Sequence, residues 1–485
     1  MKQTKIALLF LAFVSICAFA PQAAAGDGEL ESKYKFSFWA ETDLRYIIDK
    51  NRGAEKDDGY RWDWNRNQVN FDVEAFPSSR SRGKVSAKFV FFGFGNYKTL
   101  PEVNDHAKLD PYWLELNEAF VEVHKFLLDS LDIKVGRQTV TWGAADMFNP
   151  TDLVNSRDLW DPLDYTAKVP NNMVKFDWYP ADALTLSLIF VPFFKPARLP
   201  DSSILGLIST SAAPPIKDKD VIKKLSAFQS AGSDIKVTAH VIDPEKELKN
   251  AQFAARAKLH FGSYDVGLSY YYGRWGFPQP VATKAYDEKT IDAWVYYPRI
   301  QMLGLDTNAS LDWFFDLGLF AEAALFFPEK VTFAMSLPDG IDLGLPDPIK
   351  SENMSGKAYT KYTVGMDYNF GRHFYANLQY VYGFFDEIND IVGIKHYLVP
   401  NLDIKLAEDT ILIRLSSVFC ASDLSAIVTP SITYQAADGV QLSMGALYFI
   451  GDTEPKDALK YRSEQKFGAK AVGRSEFYLK AKLSM

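Results

Sequence analysis

The sequence predicts an all-β chain closed into a transmembrane antiparallel β-barrel of about 18 strands, with 16 as the alternative count. Three observations predict it. Apolar residues recur at every second position in segment after segment, short turns alternate with long connections, and the last residues form one more alternating strand that runs to the terminus. A period of two sorts side chains onto two faces of a strand. In a soluble sandwich the apolar rows meet each other; in a membrane barrel they meet lipid and the polar rows line the lumen.

At the N-terminus, Lys2 and Lys5 precede an apolar run from Ile6 to Phe19 broken only by Ser15, and Ala23-Ala24-Ala25 supplies small residues for cleavage. This predicts a signal peptide over 1–25 and a single barrel domain over 26–485. Cys17 follows Ile16, where a lipoprotein site needs a small residue, and the run is short for a spanning helix. Loss of the signal leaves Cys420 as the one cysteine, so no intramolecular disulfide can form in an oxidising compartment. Net charge moves from −8 to about −10 (51 basic against 61 acidic residues), which argues against nucleic acid as a partner.

Aromatics make up 15% of the chain, yet mean hydropathy is −0.14. The most apolar candidate for a helical span outside the signal, 311–328, carries Asp312, Asp316 and Glu322. Many aromatics without a helical span fit lipid-facing strands and interfacial girdles.

The strands follow in order. Phe36, Phe38, Ala40, Thr42, Leu44 and Tyr46 alternate with Lys35, Ser37, Trp39, Glu41, Asp43 and Arg45; Val69, Phe71, Val73 and Ala75 alternate with Gln68, Asn70, Asp72 and Glu74. The rows Phe253–Phe261 and Phe374–Tyr382 repeat the pattern. Short turns include Asp129-Ser130, Pro180-Ala181-Asp182, Gly262-Ser263, Gly371-Arg372, Glu408-Asp409 and Asp438-Gly439. Long connections fall near 49–62, 95–111, 143–168, 195–248, 276–294, 328–356, 385–399 and 451–472. Asp234 to Asp243 also alternates but would break the parity, so it belongs to the loop around it. Short periplasmic turns and long outer loops are the outer-membrane arrangement. In the last strand, Phe477, Leu479, Ala481, Leu483 and Met485 form the apolar row. This resembles the C-terminal signal read by the barrel-insertion machinery, with Met485 in place of the usual aromatic.

The segment Val135-Gly136-Arg137-Gln138-Thr139-Val140-Thr141-Trp142-Gly143 ends a strand and opens the 143–168 loop. That loop mixes Asp146, Asp152, Arg157, Asp158, Asp161 and Lys168 with Phe148, Leu153, Leu159 and Trp160. Such a mixture can pack on an inner wall while presenting charge, so the expectation is a loop that folds into the lumen and sets its width; the alternative is an ordinary outer loop. Strand parity predicts lumen-facing Glu41, Asp43, Asp72 and Glu74, with Arg45, Arg66, Lys84, Lys88, Lys134, Arg256 and Lys258. Rings of charge select ions, but the simpler reading is a wet polar interior with opposite charges paired between neighbouring strands. The mixed signs predict no ion preference. The candidate pore residues are Arg137, Trp142, Asp146, Asp152, Arg157, Asp158, Arg45, Glu41, Asp43, Asp72, Arg66, Arg256 and Tyr271. Tyr271 is out of register with Tyr270 and Tyr272 and should point inward. Trp142, Trp160, Trp275 and Phe277 suit either an aromatic path or an interface girdle.

No catalytic, cofactor or metal site is expected. Asp339, Asp342 and Asp347, like Asp386, Glu387 and Asp390, match no calcium-loop spacing and read as solvated surface. The six histidines are scattered, and Ser269 lacks the second glycine of a nucleophile elbow.

The Gly-Arg-Gln…Trp-Gly segment, followed by Asn149-Pro150-Thr151-Asp152, resembles a large group of Gram-negative outer-membrane β-barrels. More distantly it is similar to the specific porins and the alginate-export channel. The resemblance covers about 35 residues, from Val135 on. It implies a channel or transporter, in some cases one serving apolar compounds or lipids.

The functional expectation is therefore an outer-membrane channel for passive or moderately selective passage of small solutes. The alternatives are a conduit for apolar compounds working with an inner-membrane exporter, or a barrel sheath around a periplasmic or other protein partner. The remaining expected partners are outer-membrane lipids, lipopolysaccharide and the insertion machinery.

Overall fold

Eighteen strands pair edge to edge, each antiparallel to both neighbours, and the last returns to the first. The computed structural model describes residues 33–48, 61–94, 112–164, 166–199, 215–216, 218–228, 236–287, 290–311, 315–388, 393–451, 466–468 and 475–485. The predicted signal peptide and Asp390 lie outside them.

The wall is built in chain order from β1 (Tyr34–Ile47), β2 (Arg61–Ser78), β3 (Ser81–Phe94), β4 (Tyr112–Val123), β5 (Leu131–Gln138), β6 (Asn171–Ala181) and β7 (Leu184–Val191). After β8 (Lys236–Ile242), which stands outside the wall, it continues with β9 (Gln252–Phe261) and β10 (Tyr264–Arg274). Past β11 (Gln279–Ala285) and β12 (Thr290–Tyr296) come β13 (Arg299–Leu311) and β14 (Leu317–Pro328). Past β15 (Lys330–Ser336) and β16 (Ile349–Ser355) come β17 (Tyr359–Phe370), β18 (Phe374–Tyr382), β19 (His396–Leu406), β20 (Ile411–Cys420), β21 (Ser425–Ala437), β22 (Val440–Ile450) and β23 (Glu476–Ser484). Pairing of β1 with β23, from Trp39↔Ser484 to Ile47↔Glu476, closes the barrel. A closed wall leaves no edge strand with unpaired backbone groups.

The outer face carries the predicted apolar rows. Phe36, Leu114, Leu188, Phe253, Leu268, Leu305 and Val364 are all exposed there, and so are Phe477, Leu479, Leu483 and Met485 on and beyond β23. Short and long connections alternate as predicted, with one exception. Residues 421–424 join β20 to β21 on the long-loop side in four residues.

Three of the long connections are not plain loops. β8, β11, β12, β15 and β16 form a separate five-stranded sheet in the order β16-β15-β11-β12-β8, with parallel pairs β15–β11 and β12–β8. Helix α1 (Lys219–Phe228) lays Ile222 and Leu225 into a small core with Phe333, Met335 and Ile349. The alternating segment near 234–243 is thus a strand outside the barrel. The strands in 276–294 and 328–356 were not anticipated: each is short, and although β11 pairs with β12 and β15 with β16 inside one connection, the sheet is joined only by the pairs β15–β11 and β12–β8 between connections.

Two prolines interrupt the wall without shifting register. The β19–β20 ladder skips from Leu398↔Phe419 to Asn401↔Ser416 around Pro400, and β21–β22 skips from Val428↔Tyr448 to Ser431↔Gly445 around Pro430. Proline has no N–H to give to the ladder.

The inner face has two zones, which corrects the expectation of a polar lumen throughout. Toward the short turns it is charged: Arg82 and Lys84 on β3, Asp265 on β10, Asp403 on β19, Arg414 on β20. Toward the long loops much of it becomes apolar and buried (Val90 and Phe92, Tyr271, Ala324 and Phe326, Val399, Val418, Leu447), except around the β1–β23 seam, where Asp43, Arg45, Arg66 and Glu476 are buried charges.

One inward glycine is required by geometry. Gly136 has φ +131°, and a Cβ built there would lie 2.3 Å from the Ala119 carbonyl oxygen on the neighbouring strand. Gly136→Ala should destabilise the barrel by about 1–3 kcal/mol. Urea unfolding of the detergent-refolded protein, followed by heat-modifiable gel migration, measures this.

Candidate functional site: a loop docked inside the barrel

The connection between β5 and β6, residues 139–170, lies inside the wall and is held on several sides. Its first anchor is Glu322 on β14. Its carboxylate accepts from Thr151 N at 2.8 Å, Thr151 Oγ1 at 2.7 Å, Ala144 N at 2.9 Å and Ala145 N at 3.2 Å. Glu322 is 2% exposed, and a buried carboxylate is tolerated when several donors converge on it. Gly143, at φ +97°, makes room for it: a Cβ there would meet the carboxylate oxygen at 2.3 Å.

The second anchor is on the other side, where the wall closes. Asp161 accepts from Arg45 Nη2 at 2.7 Å and from Arg66 Nη2 at 2.8 Å. Arg45, 1% exposed, also reaches Asp43 at 2.7 Å on its own strand and Glu476 at 3.0 Å on β23, while Lys480 reaches Asp43 at 3.3 Å. Burial alone would raise the Asp161 carboxyl, but Arg45, Arg66 and Lys480 hold it well below the usual carboxylate range.

The third anchor is apolar. Phe148 packs against Phe385 with ring centroids at 4.8 Å and against Phe384 at 5.1 Å, in a cluster with Val381, Tyr397, Val399, Val418 and Leu447 of the wall. Its carbonyl accepts from Thr363 Oγ1 of β17 at 2.7 Å. Trp142, Val154 and Leu159 join a larger core with Met173, Ile189, Tyr271, Met302 and Phe326.

The loop is also tied to itself. Asp152 pairs with Lys168 at 2.5 Å and Arg157 at 3.4 Å and accepts from Trp142 N at 3.2 Å. Burial lowers the pKa of both Lys168 and Arg157, against the pull of Asp152. The Asn155 side chain accepts from Val140 N at 2.8 Å and donates to Val169 O at 3.0 Å. Asp158, its carboxyl raised by burial against the pull of Arg198, meets Arg198 at 3.0 Å; Arg198 also engages Glu115 on β4.

The predicted residues divide accordingly. Arg45, Asp43, Arg66, Asp152, Arg157 and Asp158 hold the loop or the wall. Glu41 and Asp72 line the lumen, accepting from Gln68 at 2.7 Å and Asn70 at 2.7 Å. Asp146 is exposed on the loop, as is Asp164. Trp142 is buried, with the Arg256 guanidinium 6.0 Å from its ring. Tyr271 is on the inward face but 2% exposed, its hydroxyl donating to Gln252 Oε1 at 2.7 Å, so it packs rather than meeting open space. Arg137 is corrected: it shares the outward parity of Val135, and its Nε donates to the Leu116 carbonyl. Glu387 is likewise buried rather than solvated, accepting from Phe384 N at 2.9 Å. Trp275 and Phe277 sit in the core and Trp160 against Trp113, so none belongs to a girdle.

The residues missed were Glu322 and Thr363, while Phe148 and Thr151 were noticed in the loop without their anchoring roles. Glu322 had a visible signal: it is the one acid in the inward row Phe320, Glu322, Ala324, Phe326 of an otherwise apolar strand.

On the short-turn side of the loop a cavity of about 430 Å³ remains. It is bounded by Gln138 to Trp142 and by inward side chains of β5, β6, β7 and β9. No group of three or more metal-ligating side chains occurs among the described residues.

Residues 10–383 match the family model DUF1302, described as a protein of unknown function. The chain belongs to the DUF1302 family. No curated protein matches it. Among solved structures, two engineered mutants of the Rh. blastica porin align over 93% of this chain and 100% of theirs, at 11% identity and a TM-score of 0.35. The barrel assignment rests on the strand pairing above, not on that likeness.

Two outcomes are expected. Glu322→Ala leaves the donors of Ala144, Ala145 and Thr151 without their acceptor, at roughly 1–3 kcal/mol of loop docking. Faster amide hydrogen exchange over 144–151, with unchanged exchange in β17–β22, measures it. For Asp161, a carboxyl whose folded pKa is depressed stabilises fully above its unfolded value, near ~3.9. That stabilisation is lost only as pH falls through the folded value. Wild-type exchange protection around 161 should therefore persist at pH 4.5, whereas Asp161→Asn should lose protection at neutral pH.

Proposed function

We propose that this DUF1302 protein is an outer-membrane channel for small polar solutes, with the 139–170 loop as its constriction. The observation that carries this reading is the loop itself, fixed inside an 18-stranded wall on Glu322, on Arg45 with Arg66, and on the Phe148 cluster. A barrel of this strand number encloses a water-filled lumen unless something fills it. Here the 139–170 loop fills part of it, packed with Phe384, Phe467, Trp275 and Phe277 of neighbouring connections, and the space beside it is polar. The apolar outer rows suit lipid contact, and β23 is the segment the insertion machinery would read. Passage requires no bond-making step, so the reading assigns no catalytic residue.

A second reading has one observation in its favour. The apolar inner zone near the long loops would suit apolar cargo handed on by an inner-membrane exporter. That zone is packed against the loop rather than open, which favours the first reading.

Planar-bilayer recording of the purified mature protein tests the proposal. Stepwise conductance is expected, and removing 144–166 should raise it about twofold or more, because the loop occupies the cross-section. A folded barrel that stays silent with and without the loop would sink the channel reading and favour the apolar conduit.

A further inference from the structure

The cavity beside the docked loop has a sign. Its wall carries four cationic side chains, Lys134, Lys175, Arg256 and Lys258, against one carboxylate, Asp177. Lys175 pairs with Asp177 at 2.7 Å, Lys258 with Asp265 at 2.9 Å, and Arg256 with Asp306 at 2.5 Å. Asp265 and Asp306 do not line the cavity, so these pairs offer it their cationic partners. Lys134 makes no ion pair among the described residues; its ammonium lies 3.7 Å from the Phe120 ring centroid. Glu118 and Glu122 on β4 are within its electrostatic reach, but each is in direct contact with another cation: Glu118 with Lys84 at 2.7 Å, Glu122 with Arg82 at 3.6 Å.

The excess among the lining side chains is therefore positive, and a concave wall of one sign focuses its field into the space it faces. The opposite sign collects elsewhere in the lumen. Asp146 of the loop lies within electrostatic reach of Asp367 on β17 and of Arg414, which is paired with Asp403 at 2.6 Å. Charge in the lumen is thus segregated, although most individual groups are paired. Hydroxyls of Tyr179 and Thr185 add neutral donors to the basic side.

We propose that this cavity is an oxyanion-binding site, taking a small solute that carries a carboxylate or phosphate group, with Lys134 as first contact and Lys175, Arg256 and Lys258 around it. This deepens the channel reading by naming the solute's chemistry, and rests on that reading for access from bulk water. An ammonium without a carboxylate partner is the group a soluble anion can engage without displacing an internal one.

Calorimetric titration of the detergent-solubilised mature protein with citrate and with inorganic phosphate tests the site without requiring conduction. Saturable binding of at least one anion is expected, with none of sucrose. Lys134→Gln combined with Lys258→Gln should weaken it about tenfold or more, and Lys134→Arg should retain it. Heat-modifiable migration checks that each variant is folded; if the double variant is not, Lys134→Gln alone is read. Absence of anion binding, equal binding of sucrose, or binding untouched by the variants would overturn the site. Citrate binding to a barrel silent in bilayers would defeat the channel reading and leave the site standing. Conductance with a cation-selective reversal potential and no anion binding would do the reverse.

Discussion

Backbone hydrogen bonding across the β1–β23 seam is the constraint on which the rest of this molecule depends. Strands in a bilayer must satisfy every N–H and C=O within the wall, and only closure does so for the first and last strands. The seam is also where the interior is fastened. Arg45 reaches β1 through Asp43, β23 through Glu476 and the docked loop through Asp161. One buried guanidinium thus couples closure of the barrel to seating of the docked loop. Such a cluster adds little net stability once its desolvation is counted. Its effect is geometric, because few arrangements bring three carboxylates and a second arginine to one site.

The two zones of the inner face explain how a loop of mixed composition can live inside a barrel. Near the long loops, Val399, Val418, Phe326 and Leu447 give it an apolar surface to bury against, and Phe148 and Trp142 supply the matching side chains. Near the short turns the rows are mostly charged, with isolated aromatics such as Phe120 packed beneath the cations, and space beside the loop stays open. The boundary between the zones sets the depth at which the loop stops. Many of the described lumen charges are paired between nearby strands, so their field is carried largely by those without an ion pair, Lys134 among them.

Much of the wall was legible along the chain. The rows from Phe36 to Tyr46 and from Val69 to Ala75, the Gly-containing turns and the alternating last strand each report a local rule, the period of two. The parity of Glu41, Asp43, Arg45 and Arg256 followed from it. The same rule misled where it was not applied strictly: Arg137 is one residue out of phase with Gly136 and Gln138, and so faces the other way. The second sheet was not legible, since its strands are short and its two hairpins, β11–β12 and β15–β16, are joined to each other and to β8 only across different connections. Nor was the polar lumen correct in its upper half, where apolar residues on inward parity read as ordinary strand composition.

What the sequence determined by itself was the alternation, because side chains on an extended chain must point to opposite faces, and with it the wall, the turns and the faces. What only the tertiary structure decided was which inward groups meet. Glu322 and Thr151 are far apart in sequence, and so are Arg45, Asp161 and Glu476; no local pattern relates them. Their meeting depends on the circumference and register of a closed sheet, which exist only once all eighteen strands have paired.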